Sequence, residues 1–339
     1  MKRFNETFYH AAMATLIASA RTWPARRLGR RMVHVALVLV GLSLATFLML
    51  ELLPGNLADA LIGENARPED IQRIEAQLGL DKPLHERYLH WLGQAVQGDL
   101  GRSPLSGEAV AAAIGHRLPV SVQLMIYAQM LALLIALPLG VAAGYREGSV
   151  LDRALSSAAF GVLAVPHFVL GLVLILLLAI WLGWFPATGY VPMAEGIGAS
   201  LRSLTLPALT LALVEAPVYM RLLRSDIAGT LREPYISVAR AKGLSDVYIL
   251  FRHALRPSSF SLITVMGINV GHLIGGAVII ETLFALPGVG RLLIEAITLR
   301  DYVTLQGIVL FIGVAFVFVN LLVDALYNLL DPRLNRHGK

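Results

Sequence analysis

Apolar residues run along this chain in six stretches, separated by segments rich in Arg, Gly and Pro. A hydrocarbon core of roughly 30 Å takes about 20 apolar helical residues to cross. The stretches fall at 31–53, 118–143, 158–183, 203–223, 260–284 and 303–327. They predict an all-α membrane protein with six transmembrane helices. The third is as long as any, so it should tilt, kink at Pro166 or leave the membrane at one end. Pro138, Pro207 and Pro217 also interrupt or border spans. Such breaks serve either as bends of an alternating-access motion or as tolerated packing features.

Three connecting segments carry helical patterns of their own. Residues 54–117 are too long for a turn and read as a small helical extracytoplasmic cap. Pro68, Glu69 and Asp70 suit a first helical turn, Ile71, Ile74 and Leu78 repeat at helical spacing, and Gly79 can close the helix. A second cap helix starts near Pro83, presents Leu84, Tyr88, Trp91 and Ala95 on one face, and ends at Gly98. His85 and His90 are spaced for different faces of it, which argues against a metal pair. The loop 224–258 contains two short helical runs broken at Gly243. Pro234 opens the first, Ala239 and Ala241 are small near its end, and Ser245 can cap the second. Two readings stand: a compact knob that fits another protein's groove, or a basic loop on anionic headgroups. Pro287, Gly288 and Gly290, followed by Leu292, Leu293, Ala296 and Ile297, predict a short amphipathic helix between spans five and six. It lines the outer mouth or rests among headgroups.

Composition supports lipid as the solvent. Hydrophobic residues make up 56% of the 339 and charged residues 15%, against about a quarter charged in soluble domains. The net charge of +5 is spread over connections, so no nucleic-acid patch emerges. Arg21, Arg26, Arg27, Arg30 and Arg31 precede span one, Arg146 and Arg153 follow span two, and Arg333, Arg336 and Lys339 follow span six. The loop 224–258 holds Arg224, Arg232, Arg240, Lys242, Arg252 and Arg256, whereas only Arg202 lies between spans three and four. The positive-inside rule then makes both termini and this loop cytoplasmic, although Arg291 and Arg300 weaken the asymmetry. Residues 1–30 read as a cytoplasmic extension, not a signal peptide, and 328–339 as a cytoplasmic tail.

Several chemistries are excluded or left thin. With no cysteine there is no disulfide and no thiolate site. No Gly-x-x-x-x-Gly-Lys-Ser/Thr loop occurs, so the chain has no evident means of binding ATP. Gly41-Leu42-Ser43 is a lone Gly-x-Ser without a histidine placed to activate it. A charge at the bilayer centre costs about 2.5–3.5 kcal/mol on insertion scales, so Glu215 and Asp324 call for a partner or water. Asn269, His272 and Asn320 are milder cases, and His272 either packs between helices or lines a path. Glu51 and Glu281 stand near span ends, where a carboxylate can reach water or attract a peptide amino terminus. A proton-coupled secondary transporter would use Glu215 and Asp324 as carriers, but the two halves of the chain show no obvious repeat.

Ordered landmarks add a further reading. Leu52-Leu53-Pro54-Gly55, Leu78-Gly79-Leu80-Asp81-Lys82-Pro83-Leu84, Gly98-Asp99-Leu100-Gly101-Arg102-Ser103 and Arg117-Leu118-Pro119 precede or open span two. Trp184-Phe185-Pro186-Ala187-Thr188-Gly189-Tyr190 follows span three, and Ala239-Arg240-Ala241-Lys242-Gly243-Leu244-Ser245 sits in the basic loop. Gly275-Gly276-Ala277-Val278-Ile279-Ile280-Glu281-Thr282, Leu286-Pro287-Gly288-Val289-Gly290, Asp324-Ala325-Leu326-Tyr327 and Leu330-Asp331-Pro332-Arg333 complete the series. From about residue 31 onward the set resembles the permease subunits of dipeptide, oligopeptide and nickel ABC importers. Asn56, where many relatives are acidic, and Pro257, where Asn is common, depart from the pattern.

The resemblance implies the type I ABC importer permease fold in a bacterial inner membrane. It implies a sister permease in a heterodimer, two ATP-binding subunits that hold ATP and Mg, and an extracytoplasmic substrate-binding protein. It makes Ala239 through Ser245 the ATPase-coupling segment, with Arg240 and Lys242 facing acidic groups on the ATPase. Glu51, Glu215, Asn269, His272, Glu281, Asn320 and Asp324 become candidates for the translocation path. This chain itself would hold no cofactor and no metal, and catalyse nothing. Dipeptides or oligopeptides are the first choice of solute; nickel complexes, glutathione, sugars and antibiotic peptides stay open.

Overall fold

The computed structural model describes residues 25–51 and 82–330. The extension up to residue 24, the expected cap helix between Pro68 and Gly79, and the tail from 331 lie outside the described residues. Helix α1 (Ala25–Glu51) begins within the expected extension, and α2 (Leu84–Val96) stands where a helix was expected to start near Pro83. Then come α3 (Val110–Tyr145), α4 (Val150–Leu163), α5 (His167–Trp181), α6 (Ile197–Leu231) and α7 (Pro234–Ala241). Helices α8 (Asp246–Leu283), α9 (Val289–Thr298) and α10 (Tyr302–Leu330) complete the chain. Among the described residues the only β-type pairing is one isolated bridge between Arg102 and Ala109.

Four described helices are long and apolar enough to cross a membrane, or five if α4 and α5 count as one bent span. The expected six is therefore not reached within the described residues. In α1 the described apolar stretch, Val33–Leu48, is short of a full span. Helices α4 and α5 meet at 103°. Pro166 stands at the start of α5, where its ring fixes φ and disfavours helix in the preceding residue, Val165. Of the three outcomes expected for the third stretch, the kink at Pro166 is the one found.

The most extensive packing in the bundle joins α3 to α6. On α3, Leu124, Ala128, Ala132, Ala136, Gly140 and Gly144 are all buried and recur every fourth residue. On α6, Leu204, Ala208, Ala212, Ala216 and Met220 do the same. A fourfold spacing forms one ridge along a helix, and small side chains let two such ridges bring their backbones close. A Cβ added at Gly140 would lie 3.0 Å from the Met220 carbonyl oxygen, and one at Gly144 would lie 2.8 Å from that of Arg224. Gly140 thus meets Met220 and Gly144 meets Arg224, so the helices run in the same direction. The chain returns between them through α4 and α5.

At the opposite end from α7, the start of α3 packs with α9 and α10 through Val110, Ile114, Leu292, Ala296 and Ile308. Asp301 caps α10, accepting from the Thr304 N–H at 3.1 Å and from its hydroxyl at 2.7 Å. The Ser103 hydroxyl donates to the same carboxylate at 2.5 Å, which ties the Gly98–Ser103 landmark to the α9–α10 turn. Helix α2 leans on α1 through Phe47, Tyr88 and Trp91, with the Tyr88 hydroxyl 2.8 Å from that of Ser43. Leu84, expected on that packed face, is half exposed. Ser43 is also bonded to the Val40 carbonyl, which leaves the Gly-x-Ser a packing feature.

Glu281 is fully buried, not reaching for water as its place near a span end suggested. Its carboxylate accepts from the Arg291 N–H at 3.1 Å, in the first turn of α9. The unpaired N–H groups and positive dipole end of a helix favour such an anion. Gly288 and Gly290 make the approach possible: a Cβ at Gly288 would overlap the Glu281 carboxylate, and one at Gly290 would lie 2.5 Å from Val278 Cα. The Ser121 hydroxyl accepts from the Val289 N–H at 2.9 Å and fixes the same turn to α3.

Two outcomes follow from this packing. Gly144→Val should cost about 1–3 kcal/mol by overpacking and lower the thermal unfolding midpoint in detergent. Gly161→Val, where a side chain meets nothing within 4 Å, should leave that midpoint unchanged. Equal midpoints for both variants would contradict the seam. Glu281→Leu should speed amide exchange through 288–298 by removing a capping acceptor worth about 1 kcal/mol; unaltered exchange would contradict the capping role.

Candidate functional site

The segment between α6 and α8 is shorter than the loop read from sequence. Residues 224–231 belong to α6 and 246–258 to α8, so only α7 and two turns lie between the long helices. The second of the two short runs is no separate helix. It opens α8, continuing through a π-helical stretch, Ile249–Ala254, into the span. Helix α7 is anchored by buried Ile236 and Ala239 against Ile249, with Leu231 beside them.

Gly243 turns the chain with φ of +78°. Its N–H reaches the Arg240 carbonyl at 2.9 Å, and the Leu244 N–H reaches that of Ala239 at 3.3 Å. These two bonds form the paired closure of a helix C-terminus that demands a left-handed residue. Ser245 caps the next helix, accepting from the Tyr248 N–H. A Cβ at Gly243 would meet nothing within 4 Å, so the backbone angle and not crowding within this chain selects glycine. Around the turn Val238, Leu244, Val247, Tyr248 and Phe251 are exposed, with Val247 67% exposed. Ala241 and Lys242 are also exposed, and Arg240 lies 3.4 Å from Asp246 across the turn.

The polar residues expected at membrane depth separate into groups. Glu215 on α6 is buried and accepts from the Asn269 amide on α8, with His272 near the same carboxylate. Buried Tyr219, one turn on, donates to Gln129 of α3 at 2.9 Å, and Gln129 donates to the Met266 carbonyl at 3.3 Å. This cluster cross-links α3, α6 and α8. His272 is exposed and Asn269 half-buried, so the α8 side of the cluster reaches the helix surface. Asn320 is half-buried on α10. Glu281 belongs to the α9 elbow. The side chains of Glu51 and Asp324 lie outside the described residues. No group of three His, Asp or Glu that could hold a metal occurs among the described residues.

Sequence reading missed the ion pairs that hold the α7 end of the bundle. Arg224, counted as a loop cation, lies in α6 and grips Asp152 of α4 with two bonds, at 2.5 and 2.7 Å. Arg232 pairs with Glu147. Asp152 followed by a distant arginine has no recognisable spacing. The small-residue repeat on α3 was legible but passed unread within a uniformly apolar stretch.

Comparison with known proteins bears on most of the chain. Residues 136–336 match the family described as binding-protein-dependent transport system inner membrane component, and residues 25–125 match the N-terminal region described for such membrane components. A putative peptide transport system permease protein of Brucella suis biovar 1 (strain 1330) is 40% identical over 306 residues, covering 90% of this chain and 98% of its own length. The di/tripeptide transport system permease protein DppB of Pseudomonas aeruginosa (strain UCBPP-PA14) is 36% identical, covering 88% of this chain and 95% of its own. A solved chain of the MetNI methionine ABC transporter in inward-facing conformations aligns with a TM-score of 0.53 and 16% identity, over 64% of this chain and 95% of that one. That likeness gives the fold, a type I ABC importer permease. The secondary-transporter reading finds no support among these relatives. A helical, multi-pass architecture, apolar helices long enough to span lipid, and family matches over most of the sequence converge: the chain belongs to the family of inner membrane components of binding-protein-dependent transport systems.

Proposed function

We propose that this chain is one of two permease subunits of an ATP-driven importer of dipeptides or oligopeptides. The relatives in Brucella and Pseudomonas, which carry peptide or di/tripeptide transport in their names, support the choice of solute. Helix α1 supplies the first of six spans, both termini are cytoplasmic, and residues 54–117 form the extracytoplasmic cap. Two separate ATPase subunits bind ATP and Mg, a substrate-binding protein delivers the peptide, and a sister permease completes the pathway. The observation that carries this reading is the turn at Gly243. Its left-handed angle projects Arg240 through Ser245 from the bundle's end, with apolar side chains around it uncovered and open space beside the glycine. A bilayer would cover such side chains on the flank of a span, but at the end of the bundle a protein groove serves better.

Energy then enters at α7 and reaches the spans directly, because α7 is joined by short turns to α6 on one side and to α8 on the other. Both long helices are cross-linked at Glu215 and Asn269. The pathway runs along the α8 surface that carries His272 and Asn269, opposite the sister permease. Asn320 and Asp324 on α10 and Glu51 on α1 are secondary candidates for the path, whereas Glu281 serves the fold.

Gly243→Asp should leave the chain in the membrane at normal amount but reduce ATP-dependent peptide uptake by about tenfold or more, since the side chain strains the turn and fills the docking space. Uptake at the unmodified rate would remove the turn from the coupling route. His272→Ala should lower uptake while leaving peptide-independent ATP hydrolysis unchanged; wild-type uptake across a panel of dipeptides would take His272 out of the path.

A further inference from the structure

Helix α4 packs on the bundle through a narrow face, Leu155 and Ala159. Only Asp152 and Ala159 are buried on it, while Val150, Leu151, Phe160 and Leu163 face outward. Yet Asp152 is elaborately held. Besides the two bonds from Arg224, it accepts from the Gly148 N–H at 2.8 Å, its own N–H is capped by the Ser149 hydroxyl at 3.2 Å, and the Ser156 hydroxyl lies 3.4 Å from it. The Asp152 side chain is 3% exposed. Two further contacts run between the same elements: Arg232 to Glu147 beside α7, and the Arg221 guanidinium 4.1 Å from the Phe160 ring centre. All three bind the α3–α4 elbow and α4 to the last turns of α6, next to the first turn of α7.

At its far end α4 bends into α5, and α5 is locked elsewhere. A Cβ at Gly171 would lie 2.7 Å from Leu283 and 3.4 Å from both Phe284 and Thr210. The α4–α5 pair therefore runs from the end of α6, beside α7, to the end of α8, beside the elbow that Glu281 organises. A bidentate arginine–carboxylate pair whose carboxylate is shielded from water fixes orientation as well as distance. A helix otherwise held through Ala159, Leu155 and the Phe160–Arg221 contact would follow it.

We infer that Asp152 and Arg224 are a positioning pair that makes α4 move with the coupling end of α6, so that the ATPase stroke drives the bent helix as well as α6 and α8. The inference rests on the proposed role of the Gly243 turn. Without the pair, α6 moves and α4 lags, and the bend at Pro166 no longer tracks the cycle.

The test uses the importer complex isolated through this chain and reconstituted in liposomes, with radiolabelled dialanine as the probe. Because the chain has no cysteine, spin labels at Val150→Cys and Gly229→Cys report the α4–α6 distance. With the pair intact that distance should stay narrow with and without ATP and Mg. Arg224→Ala should broaden it and cut dialanine uptake by about tenfold while the ATPase stays bound and hydrolyses ATP. Arg224→Lys should recover part of both. Where Arg224→Ala fails to insert, Asp152→Asn, close in shape, carries the same expectation at smaller amplitude. A narrow distance in the disrupted variants, or uptake at the unmodified rate despite a broadened one, overturns the inference. Failure of the parent reading is distinct: no ATPase would accompany even the unmodified chain, while the distance arm would still report on the pair.

Discussion

Helices α3 and α6 lie close enough for a glycine on one to face a backbone carbonyl of the other, and much of the molecule is arranged around that approach. In lipid, helices gain little from burying apolar surface, because the alternative surroundings are equally apolar. Association has to come from dispersion at short range, and that requires small residues in register along both helices. The fourfold repeats on α3 and α6 supply them. Because the two helices run in the same direction, the chain between them must cross back, which is the task of the bent pair α4–α5. The seam also aligns Gly144 with Arg224, which brings the elbow carrying Asp152 to the arginine that holds it. At the other end it leaves the start of α3 free to receive α9 and α10.

Polar groups then fix what packing alone would leave loose. Each buried carboxylate among those described has an assigned neighbour: Glu215 takes Asn269, Asp152 takes Arg224, Glu281 takes the first turn of α9, and Asp301 takes Ser103 and Thr304. A charged or strongly polar group in a low-dielectric surrounding is costly without such a partner. Each pairing joins different parts of the chain, so the carboxylates act as cross-links at chosen heights of the bundle. The α7 segment is the contrasting case. Its outward side chains, apolar and basic together, have few partners within the chain, which suits a surface shared with another subunit.

Much of this was legible before any coordinates. Apolar length located four span-length helices and the bent pair among the six stretches, Pro166 marked the bend, and Gly98 and Gly243 marked helix ends because only a left-handed residue closes them comfortably. Element ends were less legible. Polar residues such as Arg117 and Arg224 stand inside helices that extend well past the apolar stretch, because helical hydrogen bonding does not stop where the membrane does. Side-chain roles were least legible. Glu281 looked like a carboxylate near water, and its true neighbour, the N-terminus of α9, depends on a turn that folds back at Gly288 and Gly290. Asp152 and Arg224 are joined only through the placement of three helices. Pairings of that kind are products of the tertiary structure, and local spacing carries no trace of them.

The central claim, that the turn at Gly243 is where ATP-driven motion enters this chain, is tested most directly by cross-linking. The absence of cysteine makes a single cysteine at exposed Val247 unambiguous. With a short bifunctional reagent in the native membrane, it should join this chain to a phosphate-loop ATPase, with a yield that changes when ATP and Mg are added. A cysteine at Val150, on the flank of α4, provides the comparison. Cross-links from Val247 only to lipid or to other copies of this chain, with no ATPase recovered under any nucleotide condition, would contradict the account.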